Sequence, residues 1–230
     1  MKKLSILLTW ISSLFFLSWC GTPAEPVAEP ISEWDTMVSI ETKFGTMEAV
    51  LYESTPAHRD NFVKLVREGF YDDLIFHRVI DGFMIQGGDP ESRGAAEWQR
   101  LGTGGPGYLV DAEIGEVHIK GTLAAARTWG WSNPQKKSSG SQFYIVQWTP
   151  QTEASLTQFE AQKWITYTPE QKERYLEVWG TPMLDAEYTV FGEVTMWLDI
   201  IDTIAGVETW SADRPSEDVT MTITLKEGNE

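Results

Sequence analysis

The chemistry of this chain is concentrated in Phe76-His77-Arg78-Val79-Ile80-Asp81-Gly82-Phe83-Met84-Ile85-Gln86-Gly87-Gly88-Asp89. Alternation along a strand puts Phe76, Arg78 and Ile80 on one face, so a guanidinium that keeps its charge at every ordinary pH stands among apolar neighbours. Asp81-Gly82 is a strong turn dipeptide, and the turn brings Phe83 and the Gln86 amide back beside Arg78. The resulting set is one fixed cation, one neutral hydrogen-bonding group and an apolar wall.

Other constellations are weaker. His58, His77 and His118 lack metal-ligand spacing, so neither a metal nor a cofactor is expected. His77 is expected to be hydrogen-bonded within the strand region rather than to serve as a general base. Gly140-Ser141 is no nucleophile elbow, because the second glycine is absent and no partner histidine is evident. Gly102-Thr103-Gly104-Gly105-Pro106-Gly107 is followed by neither a Gly-Lys-Ser/Thr nor a dinucleotide pattern, which excludes a phosphate loop.

The elements that must position these residues are mostly strands. Met37 to Lys43 and Thr46 to Tyr52 are β-rich runs around Phe44-Gly45, which predicts a hairpin. Thr55-Pro56 predicts a helix start with Thr55 as N-cap; Phe62, Val63, Leu65 and Val66 supply its apolar stripe, and it ends at Glu68 before Gly69. Leu74 to Ile80 and Phe83 to Gly87 form the strands around Asp81-Gly82. Residues 92 to 117 read as long ordered loops. Further strands are predicted at Gly121 to Ala126, Gln142 to Gln147, Tyr188 to Val194 and Val219 to Leu225, about eight in all, with a short helix at Asp199 to Ala205. Between 151 and 182 the texture turns helical: a helix over Glu153 to Trp164, then a capping box at Thr168-Pro169-Glu170-Gln171. This insert reads either as a packing ornament or as a lid or partner surface.

A length of 230 residues with 42% apolar content suits one domain with an ornament. The formal charge of −16 and the absence of a basic run exclude the electrostatic footprint of a nucleic-acid binder. Lys2 and Lys3 followed by an apolar run from Leu4 to Leu17 have the layout of an export signal, taken as residues 1–19. Its removal would take the charge to −18, since it carries two lysines and no acids. Cys20 is the single cysteine, so no internal disulfide is possible. Residues 20–35, with Pro23, Pro26 and Pro30, read as a tether that could span about 40 Å, and the folded domain is placed at 36–230.

The stretch from Phe76 to Asp89 resembles the central signature of the cyclophilins. Gly121-Thr122-Leu123-Ala124-Ala125-Ala126-Arg127 is similar to the segment lining that family's pocket. Ser139-Gly140-Ser141-Gln142-Phe143-Tyr144-Ile145 is similar to its second signature, and Val190-Phe191-Gly192-Glu193-Val194 to its late strand. The resemblance runs over residues 36 to 226 apart from the insert. It implies a mainly β fold: a closed eight-stranded antiparallel β-barrel capped by two helices, here with the inserted helical segment. It implies a peptidyl-prolyl cis-trans isomerase that needs no cofactor, works as a monomer and acts on proline-containing segments. Arg78, Phe83 and Gln86 are the implied catalytic residues; Met84, Ala126, Arg127, Gln142, Tyr144, Met183, Leu184 and Tyr188 are the implied substrate-binding residues. Departures from the family pattern are Tyr144 where Phe is common, Tyr188 where His is common, Met183 where some have Trp, and Arg127 where Asn is common. Residues 17 to 20 resemble a bacterial lipoprotein signal, with Trp19 where a small residue is usual. Lipidation at Cys20 would anchor an extracytoplasmic protein, in the periplasm or at the cell surface; plain secretory cleavage and an uncleaved anchor are the alternatives. The expected role is to assist folding of exported proteins. A second reading is a peptide-binding or holding module that uses the same groove, recruits clients through the insert and turns over only incidentally.

Overall fold

The computed structural model describes residues 36–226. The expected leader, Cys20 and the tether through residue 35 lie outside the described residues. Strands β1 (Met37–Thr42) and β2 (Gly45–Leu51) form the expected hairpin, paired from Met37–Val50 to Thr42–Gly45. Alternation buries Val38 and Ile40 on one strand and Met47, Ala49 and Leu51 on the other. Helix α1 (Pro56–Arg67) then buries Phe62, Val63, Leu65 and Val66. Its N-terminus corrects one expectation: Thr55 makes no side-chain cap. The Glu113 carboxylate takes that place, accepting hydrogen bonds from the Ala57 and His58 amides at 3.0 Å each. A negative charge on those free N–H groups also suits the helix dipole.

The remaining strands are β3 (Leu74–Ile75), β4 (Arg78–Ile80), β5 (Met84–Gly87), β6 (Leu109–Val110), β7 (Thr122–Ala125), β8 (Ser138–Ser139), β9 (Phe143–Val146), β10 (Val190–Met196) and β11 (Thr220–Leu225). Nine of the eleven described strands form one curled antiparallel sheet in the order β3-β11-β1-β2-β10-β7-β9-β5-β4. The expected strand over Leu74 to Ile80 is thus two strands at opposite edges of the sheet. The Phe76 amide still donates to Val219 O on the β11 side, whereas Arg78 already pairs with Gln86 on β5. The chain changes partner at His77, so Phe76-His77 links the two edge strands of a curled sheet that has nine strands where about eight were expected. β6 and β8 form a separate pair that fastens the long loop to the segment before β9.

The sheet wraps one large core, which takes in α1 and also Ile200, Ile201 and Ile204 of helix α4 (Asp199–Ala205). These are the two capping helices. The insert supplies α2 (Glu153–Lys163) and α3 (Pro169–Val178), each opened by a capping box, Thr152 with Ser155 and Thr168 with Gln171. It has a small core of its own, where Leu156, Tyr167 and Tyr175 close over Ile119.

Candidate active site

Pairing register across one side of the sheet sets a row of side chains. Arg78 on β4 faces Gln86 on β5, Gln86 faces Tyr144 on β9, Tyr144 faces Ala124 on β7, and Ala124 faces Val190 on β10. Directly opposed residues share a face, and this row points away from the main core. The neighbouring positions Val79, Ile85, Ile145 and Leu123 point into it. Phe76 also belongs to the main core, not to the face of Arg78, because the break at His77 interrupts the alternation. A slip of one residue would exchange the two sets.

On the outer face a second apolar cluster gathers Met84, Tyr144 and Val190 with Ile80, Phe83, Leu184 and Tyr188. It shapes a notch of about 130 Å³ walled by Phe83, Met84, Tyr144, Leu184 and Tyr188, with Arg78, Gln86, Ala126 and Arg127 along its rim. That is well below the several hundred Å³ of sites enclosing a whole small ligand, so one small ring or side chain fills it. Phe83 is held by a pinned turn: the Gly82 amide donates to Gln147 Oε1 at 2.6 Å, and Gln147 Nε2 donates to Asp81 at 3.1 Å.

The polar edge is a chain of donors. Arg78 Nη1 donates to Gln86 Oε1 at 3.4 Å, Gln86 Nε2 to Gln142 Oε1 at 3.1 Å, and Gln142 Nε2 to Gly104 O at 2.7 Å. Gln142 therefore stands behind Gln86 rather than in the notch, and it borders a larger groove of about 770 Å³ running past Gly102, Gly104 and Tyr108. The Arg78 side chain is 41% exposed, and its Nε lies 3.4 Å from Asp213 Oδ2. No sequence signal pointed to Asp213, which comes from a distant loop.

Arg127 reaches the rim with its guanidinium already committed. Its Nε donates to Glu187 O at 2.8 Å and its Nη2 to the Glu187 carboxylate at 2.9 Å, with the cation over the rings of Trp129 and Tyr188. It braces the Tyr188 wall. Met183, which the resemblance made a substrate contact, is 55% exposed and is not among the residues lining the notch. Burial, helped by Tyr188 and Asp185, pushes the Tyr144 hydroxyl well above the ordinary phenol range, so it stays neutral. His77 corrects another expectation: neither ring nitrogen finds a hydrogen-bond partner among the described residues, and burial pushes its pKa down to about 4 despite Asp89.

A cation held beside an apolar notch of single-ring size can hold one small apolar ring while the guanidinium donates to a polar group next to it. The family model of the cyclophilin type peptidyl-prolyl cis-trans isomerases matches residues 37–225. A putative bifunctional phosphatase/peptidyl-prolyl cis-trans isomerase of Streptococcus pyogenes is 38% identical over 186 residues, 79% of this chain; the chain spans 37% of that relative's length. A putative peptidyl-prolyl cis-trans isomerase of Staphylococcus saprophyticus is 34% identical over 175 residues, 75% of this chain and 81% of the relative. A crystal structure of a cyclophilin type isomerase from Cryptosporidium parvum superposes with a TM-score of 0.59 at 25% identity, covering 84% of this chain and 99% of that one. The chain belongs to the cyclophilin-type peptidyl-prolyl cis-trans isomerases.

Proposed function

We propose that Arg78 drives rotation about X-Pro bonds in exported polypeptides, with the notch gripping the proline ring while the preceding carbonyl swings. Peptide rotation is slow because conjugation gives the C–N bond double-bond character, a barrier of about 18–20 kcal/mol. Twisting breaks the conjugation, so the proline nitrogen gains a usable lone pair only midway through. A donor aimed there stabilises the twisted state selectively, which is the condition for catalysis. Arg78 is that donor and also holds the prolyl carbonyl; Gln86 fixes the substrate backbone and, tied to Gln142, limits the swing of the guanidinium. Phe83, Met84, Tyr144 and Leu184 confine the ring, and Tyr188 closes the side. Shortening tens of seconds to milliseconds is about four decades, or roughly 5–6 kcal/mol. A charged donor whose bond to the nitrogen forms only in the twisted state supplies about 3–4 kcal/mol of that, the fixed substrate backbone adds orientation, and the ring walls supply binding.

The single observation that carries this reading is Arg78 at the mouth of the apolar notch, steadied by Gln86. Titration of an Ala-Pro peptide into labelled protein, followed by amide NMR, tests it. Shifts should concentrate at residues 78, 83, 84, 86, 144 and 184; shifts confined to the insert would refute it. The export reading rests on the apolar run at Leu4 to Leu17 and on Cys20. Intact mass of the mature protein tests it: a lipidated Cys20 start supports the tether, and an unmodified start elsewhere removes it.

A further inference from the structure

The back of the proline notch is connected to the insert by buried hydrogen bonds that the isomerase reading does not use. Tyr144 presents its ring to the notch, while its hydroxyl turns away to His118 Nε2 at 3.0 Å. His118 Nδ1 lies 2.8 Å from Asp185 Oδ1, which also accepts from the His118 amide at 2.9 Å. The other carboxylate oxygen of Asp185 accepts from Tyr167 at 2.7 Å and from Tyr175 at 2.6 Å. With its proton on Nδ1, His118 donates to Asp185 and accepts the Tyr144 O–H, so every polar atom of the relay is satisfied. All five side chains are buried.

The two ends of this relay matter. Tyr167 precedes α3 and Tyr175 lies on it, in the core of the insert; Tyr144 is a wall of the notch. Asp185 directly follows the turn Pro182–Leu184, which carries Leu184, a second wall. The exit of the insert is also zipped to the His118 segment through the backbone: Lys120 N donates to Trp179 O at 3.1 Å, and Thr181 N to His118 O at 2.8 Å. Gly180 makes that approach possible, since a Cβ there would run into His118 O and Ile119 Cα. Two walls of the notch therefore depend on contacts the insert supplies.

We propose that the insert is a positioning device for the proline notch: Tyr167 and Tyr175, through Asp185 and His118, hold Tyr144 and Leu184 at the spacing that fits the ring. This rests on the notch being the proline site. Tyr144 touches the ring and not the reacting nitrogen, so its grip is equal in the ground state and the twisted state. Loss of such uniform binding raises KM and leaves kcat unchanged. A merely structural role reads the other way, because partial unfolding lowers the active concentration, hence apparent kcat, at constant KM.

The test is the Tyr167→Phe/Tyr175→Phe pair, made in the wild-type chain and in a Tyr144→Phe background, with kcat and KM measured on an Ala-Pro peptide. In the wild-type background KM should rise about threefold to tenfold with kcat unchanged, the size expected for a lost buried hydrogen bond. In the Tyr144→Phe background, where only the Leu184 arm is left to loosen, the same pair should raise KM by a clearly smaller factor, below about threefold. A fall in kcat at constant KM, an equal rise in both backgrounds, or no change in either overturns the proposal. Should the pair fold poorly, Tyr175→Phe alone leaves Asp185 its other donors and gives the same comparison. The ring 13C shifts of Tyr144 supply a readout independent of turnover. They should move in Tyr175→Phe; if they stay fixed the relay fails, whereas a wild type without turnover refutes the isomerase reading instead.

Discussion

His77 makes the fold sensitive to acid in a defined window. Its ring is 4% exposed, lacks a hydrogen-bond partner among the described residues, and has its pKa pushed down to about 4 by burial, with Asp89 opposing and Arg78 and Arg214 reinforcing. In the unfolded chain the imidazole takes up its proton near pH 6.5. As pH falls, the unfolded state therefore binds that proton first, and stability declines from pH 6.5 to about 4 before levelling off. At pH 5 the loss from this one group is about 2 kcal/mol, and below pH 4 it approaches about 3 kcal/mol. For a domain of this size 2 kcal/mol corresponds to about 4–8 °C in Tm. Urea unfolding of wild type and His77→Leu at pH 8 and pH 5 isolates the effect, because other titrating groups, including His58, which burial also holds below its ordinary value, are common to both chains. Leucine leaves no hydrogen bond unmade, since the imidazole makes none with the described residues. The variant should lose about 2 kcal/mol less than wild type between the two pH values. Equal losses would refute the reasoning.

Three further outcomes follow from the geometry. Glu113→Gln weakens the anchor on the first turn of α1 and on His58 Nδ1, 2.6 Å away, and should lower stability at pH 7 by about 1–2 kcal/mol in urea unfolding. Burial works against the Glu113 charge, but the bonds from His58 and the two amides hold its pKa below the usual range, so the wild-type advantage should fade as pH drops below 4.5. Gly88→Ala forces a side chain into a backbone with φ of +85° and against Ser141 O, and thermal unfolding should reveal a loss above about 2 kcal/mol. Asp213→Asn removes a half-exposed ion pair with Arg78, so kcat/KM should change less than about threefold and the difference should shrink in high salt.

Elements with a strong local period were legible in the sequence. The first hairpin, the apolar stripe of α1 and the Thr168 capping box each need only neighbouring residues, and the structure has them within a residue or two. What was not legible depends on partners far along the chain. Nothing local marks His77 as the point where one strand exchanges β11 for β5, so alternation placed Phe76 beside Arg78 although it is buried in the core. Thr55 carries the preferred N-cap chemistry, yet a carboxylate on the 113 loop has that place. β6 and β8 have two residues each, too few to show alternation. The family signatures carried the notch residues Phe83, Met84 and Tyr144, and the resemblance implied Leu184 beside them. They missed Asp213 and could not foresee that Tyr144 is tied to the insert, because His118, Tyr144 and Asp185 share no sequence spacing.

Magnetisation-exchange NMR on a short X-Pro peptide, comparing wild type with Arg78→Ala, tests the role of the guanidinium most directly. The exchange rate should fall about a hundredfold or more, the usual cost of removing a donor whose main bond forms in the transition state, while peptide affinity falls by a smaller factor from the lost hold on the prolyl carbonyl. Equal exchange rates in the two proteins would contradict the account and leave a module that binds peptides without rotating them.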